Sequence, residues 1–249
     1  HITARTLLVN DLHRHVINLA RVAREPDLRG QLVRQAKHKI FHPEELAAAQ
    51  KVCAAREPGD APDVELAVDY FVCCWMGRSS KSGIDDEFNG RTSVRWKSDG
   101  GDSMVRYQSA IRSLASLSKT LRRCTFETMD AFAFLARCED IDGHGIYADP
   151  PFPGVGRRYS YNAGKTDAEE KSWHTRLRDA LCRFQLARVA CRFYDHPLIR
   201  ELYPESRWTW QRMVGRKQSN DDAPEVLLLN RAAPCLPPPR VRKGHCRLS

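Results

Sequence analysis

Three aspartates share one placement: Asp11, Asp130 and Asp149 each sit at or just beyond the carboxyl end of a short run that reads as a strand. The runs are Thr6-Leu7-Leu8-Val9, Arg123-Cys124-Thr125-Phe126-Glu127 and Gly145-Ile146-Tyr147-Ala148. In an open parallel sheet those ends line one edge, where ligands bind, so the three carboxylates are expected to converge on one cleft. Taken singly, a strand-end Asp reads more readily as a turn or helix cap. Asp149 is the sharpest because Pro150 and Pro151 follow it, end the strand and fix the backbone ahead of Phe152. The bland reading of that tetrapeptide is a rigid exit from a strand, with an aromatic ring packed inward.

The elements that must position these acids follow from periodicity. Leu12, Val16, Leu19 and Val22 recur at helical spacing over 12–23, and Pro43 with Glu44 and Glu45 opens another helix, as residues favoured in a first turn do. A third helix is expected over 64–75, a long amphipathic one over 104–122, a short one over 131–137 and another over 167–183. Arg188 to Phe193 reads as a strand, 198–202 as a helix, 208–214 as strand-like and Glu225 to Asn230 as a buried strand. Strands alternating with helices predict one α/β domain over 1–230 with a mainly parallel sheet and helices on both faces. Residues 231–249, proline-rich and basic, read as a disordered tail.

The chain has 249 residues, 42% of them hydrophobic and 29% charged, the composition of a soluble globular protein long enough to bury a sizeable core. Its apolar runs are too short for a membrane span, and His1-Ile2-Thr3-Ala4-Arg5 lacks a signal peptide's apolar core, so neither a span nor ordinary secretion is expected. Nine cysteines without a Cys-x-x-Cys pair read as reduced thiols rather than a zinc site or a disulfide framework. The net charge of +9 adds affinity for polyanions. Arg231, Arg240, Arg242, Lys243 and Arg247 carry much of it, however, and meet no acid in the tail.

Asp149-Pro150-Pro151-Phe152 after an apolar strand resembles the signature of the Dam-like adenine-N(6) DNA methyltransferases. Leu8-Val9-Asn10-Asp11-Leu12 looks like that family's strand end whose acid meets the methionyl or ribose part of the donor. Phe126-Glu127-Thr128-Met129-Asp130-Ala131 looks like the strand whose acid lies near the donor's adenine. The likeness runs in order from about Thr6 to Arg231, through Arg157-Arg158-Tyr159-Ser160-Tyr161, His174-Thr175-Arg176-Leu177 and the strand ending at Asn230. It implies a Rossmann-like methyltransferase fold and a cytoplasmic enzyme, bacterial or phage-encoded, that modifies double-stranded DNA, with a cognate restriction endonuclease as a further partner. S-adenosylmethionine is the implied methyl donor, contacted by Asp11, Asp130 and Asp149, and no metal is required.

The implied chemistry suits the residues. The exocyclic amino nitrogen of adenine is a poor nucleophile because its lone pair is delocalised into the ring. Asp149 and the Pro150 carbonyl can accept both amino hydrogens and favour a pyramidal nitrogen, while the paired prolines preorganise the carbonyl. Phe152 would stack on the base, which must leave the duplex. Residues 77–101 read as a small DNA-contacting insertion, in which Arg78, Lys81, Arg95 and Lys97 would meet phosphates together with Arg157 and Arg158 near the motif.

The family opens with an apolar strand and a Phe-x-Gly-x-Gly turn beneath the methionine part of the donor, and this sequence holds no such element. The resemblance therefore implies a sheet lacking its first, central strand, with two neighbouring strands left short of a partner. It leaves open a truncated enzyme or a degenerate, non-catalytic DNA-binding relative, and predicts weak or absent donor binding in either case. Methylation of the cytosine amino group, or of a protein, is a third reading. Cytosine enzymes of this chemistry usually carry Ser where Asp149 stands.

Overall fold

A computed structural model describes residues 4–77, 87–92, 103–158, 163–212 and 224–230. They belong to two units, one built from 1–138 with 157–162 and the other from 139–156 with 163–249.

In the first unit, β1 (Leu7–Asn10) pairs in parallel with β2 (Cys124–Glu127), Leu7 opposite Cys124 and Asn10 opposite Glu127. Parallel strands need a crossover. Here it includes α1 (Arg14–Arg24), α2 (Pro26–His38), α3 (Pro43–Ala55), α4 (Val64–Met76) and α5 (Ser103–Leu121). Helix α4 is apolar on nearly every side, which places it inside, and Leu66, Phe71, Val72 and Met76 are buried there. Val22, Leu32, Leu46 and Ile111 from the surrounding helices join the same core. Its start is locked by Asn18 of α1, whose side chain donates to the Asp63 carbonyl and accepts from the Asp63 N–H, both at 2.8 Å. The buried Tyr107 hydroxyl donates to the Ala36 carbonyl at 2.9 Å, so it enters the core with its polar tip satisfied. Helix α6 (Ala131–Arg137) follows β2.

The second unit holds β3 (Gly145–Ala148), α7 (Asp167–Cys182), β4 (Arg188–Tyr194), α8 (Pro197–Leu202), β5 (Thr209–Arg212) and β6 (Glu225–Leu229). Its strand order is β3-β4-β6-β5. Strand β3 runs parallel to β4, and β6 runs antiparallel to both β4 and β5. Alternation along β4 buries Val189, Cys191 and Phe193, and along β6 it buries Val226 and Leu228. Fully burying such a side chain contributes about 1.5–3 kcal/mol, and one of these inward positions, Phe193, meets His174 of α7 edge-on with ring centroids 5.6 Å apart. Helix α7 begins with a capping box in which Thr166 and Glu169 satisfy each other's backbone N–H groups.

The α/β class is as the sequence predicts; among the described residues the strands pair in two sheets rather than in one. The described strands make a parallel pair and a separate mixed group of four. The two parallel pairs, β1 with β2 and β3 with β4, are the ones whose strands are joined through helices. An antiparallel pair such as β5 with β6 does not require a helical crossover.

Candidate active site

Strand β3 delivers Asp149 to the carboxyl end of the four-stranded sheet. Ala148 lies opposite Cys191 in the β3/β4 register, so one step further Asp149 comes beside Arg192 on the same face. Arg192 in turn lies opposite Leu227 on β6, and Glu225, two residues from Leu227, shares that face. Three adjacent strands thereby set an acid, a base and an acid in a row. Arg192 Nη2 meets Glu225 Oε1 at 2.7 Å, and Arg192 Nη1 donates to Asp149 Oδ2 at 3.4 Å. Exposure grades across the row: the Glu225 side chain is 14% exposed, Arg192 21% and Asp149 46%. The acid at the sheet end is thus the open one.

Partial burial pushes the Asp149 carboxyl above its ordinary range; Arg192 opposes the shift, and Glu225 adds to it. The Arg192 guanidinium is held more firmly charged, chiefly by its bond to Glu225. Burial also raises the Tyr147 phenol, helped by the Asp149 charge and opposed by Arg192. Tyr147, on the same face two residues earlier, is 62% exposed.

The loop after Asp149 folds back on itself. Gly156 N–H donates to the Phe152 carbonyl at 2.7 Å, and a Cβ at Gly156 would stand 2.7 Å from that of Pro151, so only glycine fits. Gly154 has φ near +73°, in the left-handed region, and its N–H donates to Glu170 Oε1 of α7 at 2.7 Å. Glu170, buried, thus ties the loop to the helix. The Phe152 ring is half-buried and edge-on to Tyr194, with centroids 4.6 Å apart. Among the described residues, neither Asp149 Oδ1 nor the Pro150 carbonyl is spent on a hydrogen bond.

Asp11 and Asp130 are wired differently. Asp11 Oδ1 accepts from the His13 N–H at 2.8 Å, just ahead of α1. Asp130 is the N-cap of α6, with Oδ1 accepting from Phe132 and Ala133 N–H at 3.0 and 3.1 Å. The turn after β2 is further clamped by Asn10, whose amide exchanges two 3.0 Å hydrogen bonds with the Met129 backbone. The three strand-end carboxylates therefore finish two sheets: Asp11 and Asp130 the pair, and Asp149 the group of four.

No protein-family profile matches this chain. No curated protein sequence matches it either.

Of the expected DNA contacts, Arg78, Lys81, Arg95 and Lys97 lie outside the described residues, as does the Arg158 side chain. Arg157 is half-buried in the 3-10 turn Val155–Arg158. Among the described residues of the expected insertion, Gly77 bridges Thr92 and the Gly90 carbonyl accepts from Gln50 at 2.8 Å. Among the described residues no group of three or more His, Cys, Asp or Glu side chains is arranged to hold a metal ion, and no helix is long and apolar enough to cross a membrane. The partners that sequence reasoning missed are Arg192, Glu225 and Glu170. In the sequence the first two are simply the polar positions of alternating strands, and their pairing emerges only once β4 is known to lie between β3 and β6.

Proposed function

We propose that the chain carries the acceptor half of an adenine-N(6) DNA methyltransferase. The observation that carries this reading is the Asp149-Pro150-Pro151-Phe152 turn at the end of a parallel strand, with one carboxylate oxygen and the adjoining carbonyl both open. In this reading Asp149 Oδ1 accepts one hydrogen of the amino group and the Pro150 carbonyl accepts the other. That pairing withdraws the nitrogen lone pair from the ring and aims it. Phe152, supported edge-on by Tyr194, lends a π face to the flipped base. In the same reading, as the N–C bond forms and the methyl–sulfur bond breaks to leave a thioether, Asp149 Oδ1 would take the proton that the nitrogen sheds.

S-adenosylmethionine, when bound, supplies the electrophilic methyl group. Asp11 and Asp130 each commit Oδ1 to a turn and keep Oδ2 for amino or hydroxyl hydrogens of the donor, a fit as acceptors only. The glycine turn that the resemblance expects beneath the methionine part of the donor is not in this sequence. Donor binding by this chain is accordingly expected to be weak. An isothermal titration giving micromolar affinity would overturn that expectation.

The alternative, a non-catalytic DNA-binding relative, is favoured by the structural roles of Asp11, in the turn before α1, and of Asp130, the cap of α6. Incubating an adenine-containing duplex with labelled donor at millimolar concentration separates the two. Transfer abolished by Asp149→Ala supports the enzyme. Salt-sensitive DNA binding without transfer supports the relative.

A further inference from the structure

We infer that Arg192, tethered by Glu225, is the positioning residue of the Asp149 carboxylate. It occupies one oxygen from the side of β4 and turns the other outward to the substrate amino group. The role given to the open oxygen rests on the methyl-transfer reading; the tether itself does not.

The geometry separates a tether from a chance surface pair. Exposed ion pairs contribute little because two long side chains must be ordered in water. Arg192 is different: it projects from the middle of three paired strands, most of its side chain is covered, and the firmer of its two ion-pair contacts, at 2.7 Å, is to the better buried acid. Glu225 thus fixes the guanidinium before Asp149 is considered. The remaining contact, at 3.4 Å, then restricts Asp149 Oδ2 and hence the plane of the carboxylate. The loop on the other side of Asp149 is fixed independently, by the bond from Gly154 to Glu170.

The row also sets a charge. Two carboxylates and one guanidinium leave a surplus of one negative charge beside the open oxygen. Methyl transfer to an amine builds positive charge on nitrogen, which a negative surplus stabilises. Removing Glu225 would leave the row neutral, and removing Arg192 would crowd two acids together. The groups facing Asp149 are Arg192 and Cys191 of β4, Glu225 of β6 and Tyr147 of β3. The buried Cys191 thiol stays protonated, and the Tyr147 phenol is pushed up, so Arg192 and Glu225 dominate near neutrality.

Opposite effects are therefore expected from the two tether residues. Arg192→Met removes the cation that favours ionised Asp149, so the carboxyl should titrate about one to three units higher. Glu225→Gln removes a repelling acid and frees Arg192 for Asp149, so the carboxyl should titrate lower. The experiment is a carbon-13 NMR titration of the Asp149 carboxyl in the full chain and in Arg192→Met, Arg192→Lys and Glu225→Gln, with Asp149→Asn assigning the signal. Thermal unfolding of each variant confirms folding. The tether is supported by shifts of opposite sign, with Arg192→Lys falling between wild type and Arg192→Met. An Asp149 titration that does not move in Arg192→Met, or that moves the same way in both single variants, overturns it.

Transfer assays on the same proteins read the second half of the inference. Arg192→Met should lower kcat by about tenfold with little change in KM for DNA, as expected when an interaction made in the transition state is weakened. It should also move the acidic limb of the rate profile upward with the carboxyl. If wild type transfers no methyl group, the methyl-transfer reading fails, and the NMR titration still decides the tether.

Discussion

The two strand ends that carry aspartates differ in what holds the acid. At the end of β1 and β2, Asp11 and Asp130 point into their own turns: Asp11 accepts from the N–H of His13, the residue that caps α1, and Asp130 caps α6. At the end of β3, Asp149 is followed by two prolines, has no helix to cap, and is held from a neighbouring strand by a guanidinium. The same residue type in the same topological place does structural work in one case and is left with an open oxygen in the other. The following residues make the difference. Asp130 precedes Ala131-Phe132-Ala133, which starts a helix with donors to satisfy, whereas Asp149 precedes residues that have no N–H to donate.

That contrast can be broken by substitution, and the largest effect is expected at the open acid. Asp149→Asn should keep the fold and cut methyl transfer at least about 100-fold, the scale on which losing a preorganised polar partner of the reacting group acts. Asp11→Asn should leave transfer at saturating donor within a few-fold, because its turn bond can be kept by the amide oxygen.

Next in size is the loop behind the acid. Gly156→Ala drives a methyl group into Pro151, a clash in the class that costs about 1–3 kcal/mol. It should lower the melting temperature and also loosen Asp149. At the other end, Asp130→Ala should cost about 1 kcal/mol through the lost cap and should leave transfer at saturating donor within a few-fold. A chemical denaturation series on the two variants checks both, and equal effects on transfer would erase the distinction between the two strand ends.

The smallest effect concerns pH. His174 of α7 is fully buried, and burial pulls its pKa from the ordinary 6.5 down to about 4. The unfolded chain therefore takes up a proton at a higher pH than the folded one does. The neutral ring's contribution is complete above about pH 6.5 and is lost as pH falls towards about 4. His174→Phe should flatten that slope, measured as melting temperature against pH. An unchanged slope would show that the ring is not held neutral.

Some of these features are marked in the amino-acid sequence by local signals, and others arise only from pairing between distant segments. Helix α6 and strand β3 form where the sequence predicts them, because a cap or a pair of prolines marks their edges. Helix α2 escapes the periodic pattern: Pro26–His38 is largely polar, and its apolar side chains Leu32 and Ala36 acquire meaning only against α4 and α5. Strand β5 is described over Thr209–Arg212, within the expected 208–214, whose last residues lie outside the described ones. The turn at Asp11 and the cap at Asp130 are readable as the bland alternative, since a strand-end Asp favours turns and helix caps. Arg192 and Glu225 were not readable as a pair. They lie 33 positions apart and become neighbours only through the antiparallel register of β4 and β6.

The most direct test of the account is base-resolved methyl transfer. The 249-residue chain and its Asp149→Asn variant would each be incubated with adenine-containing duplex and labelled S-adenosylmethionine at millimolar concentration, and the modified nucleosides separated. Label is expected on the N6 position of adenine, lost at least about 100-fold in the variant. Label on cytosine, or equal label on adenine with both proteins, would contradict it.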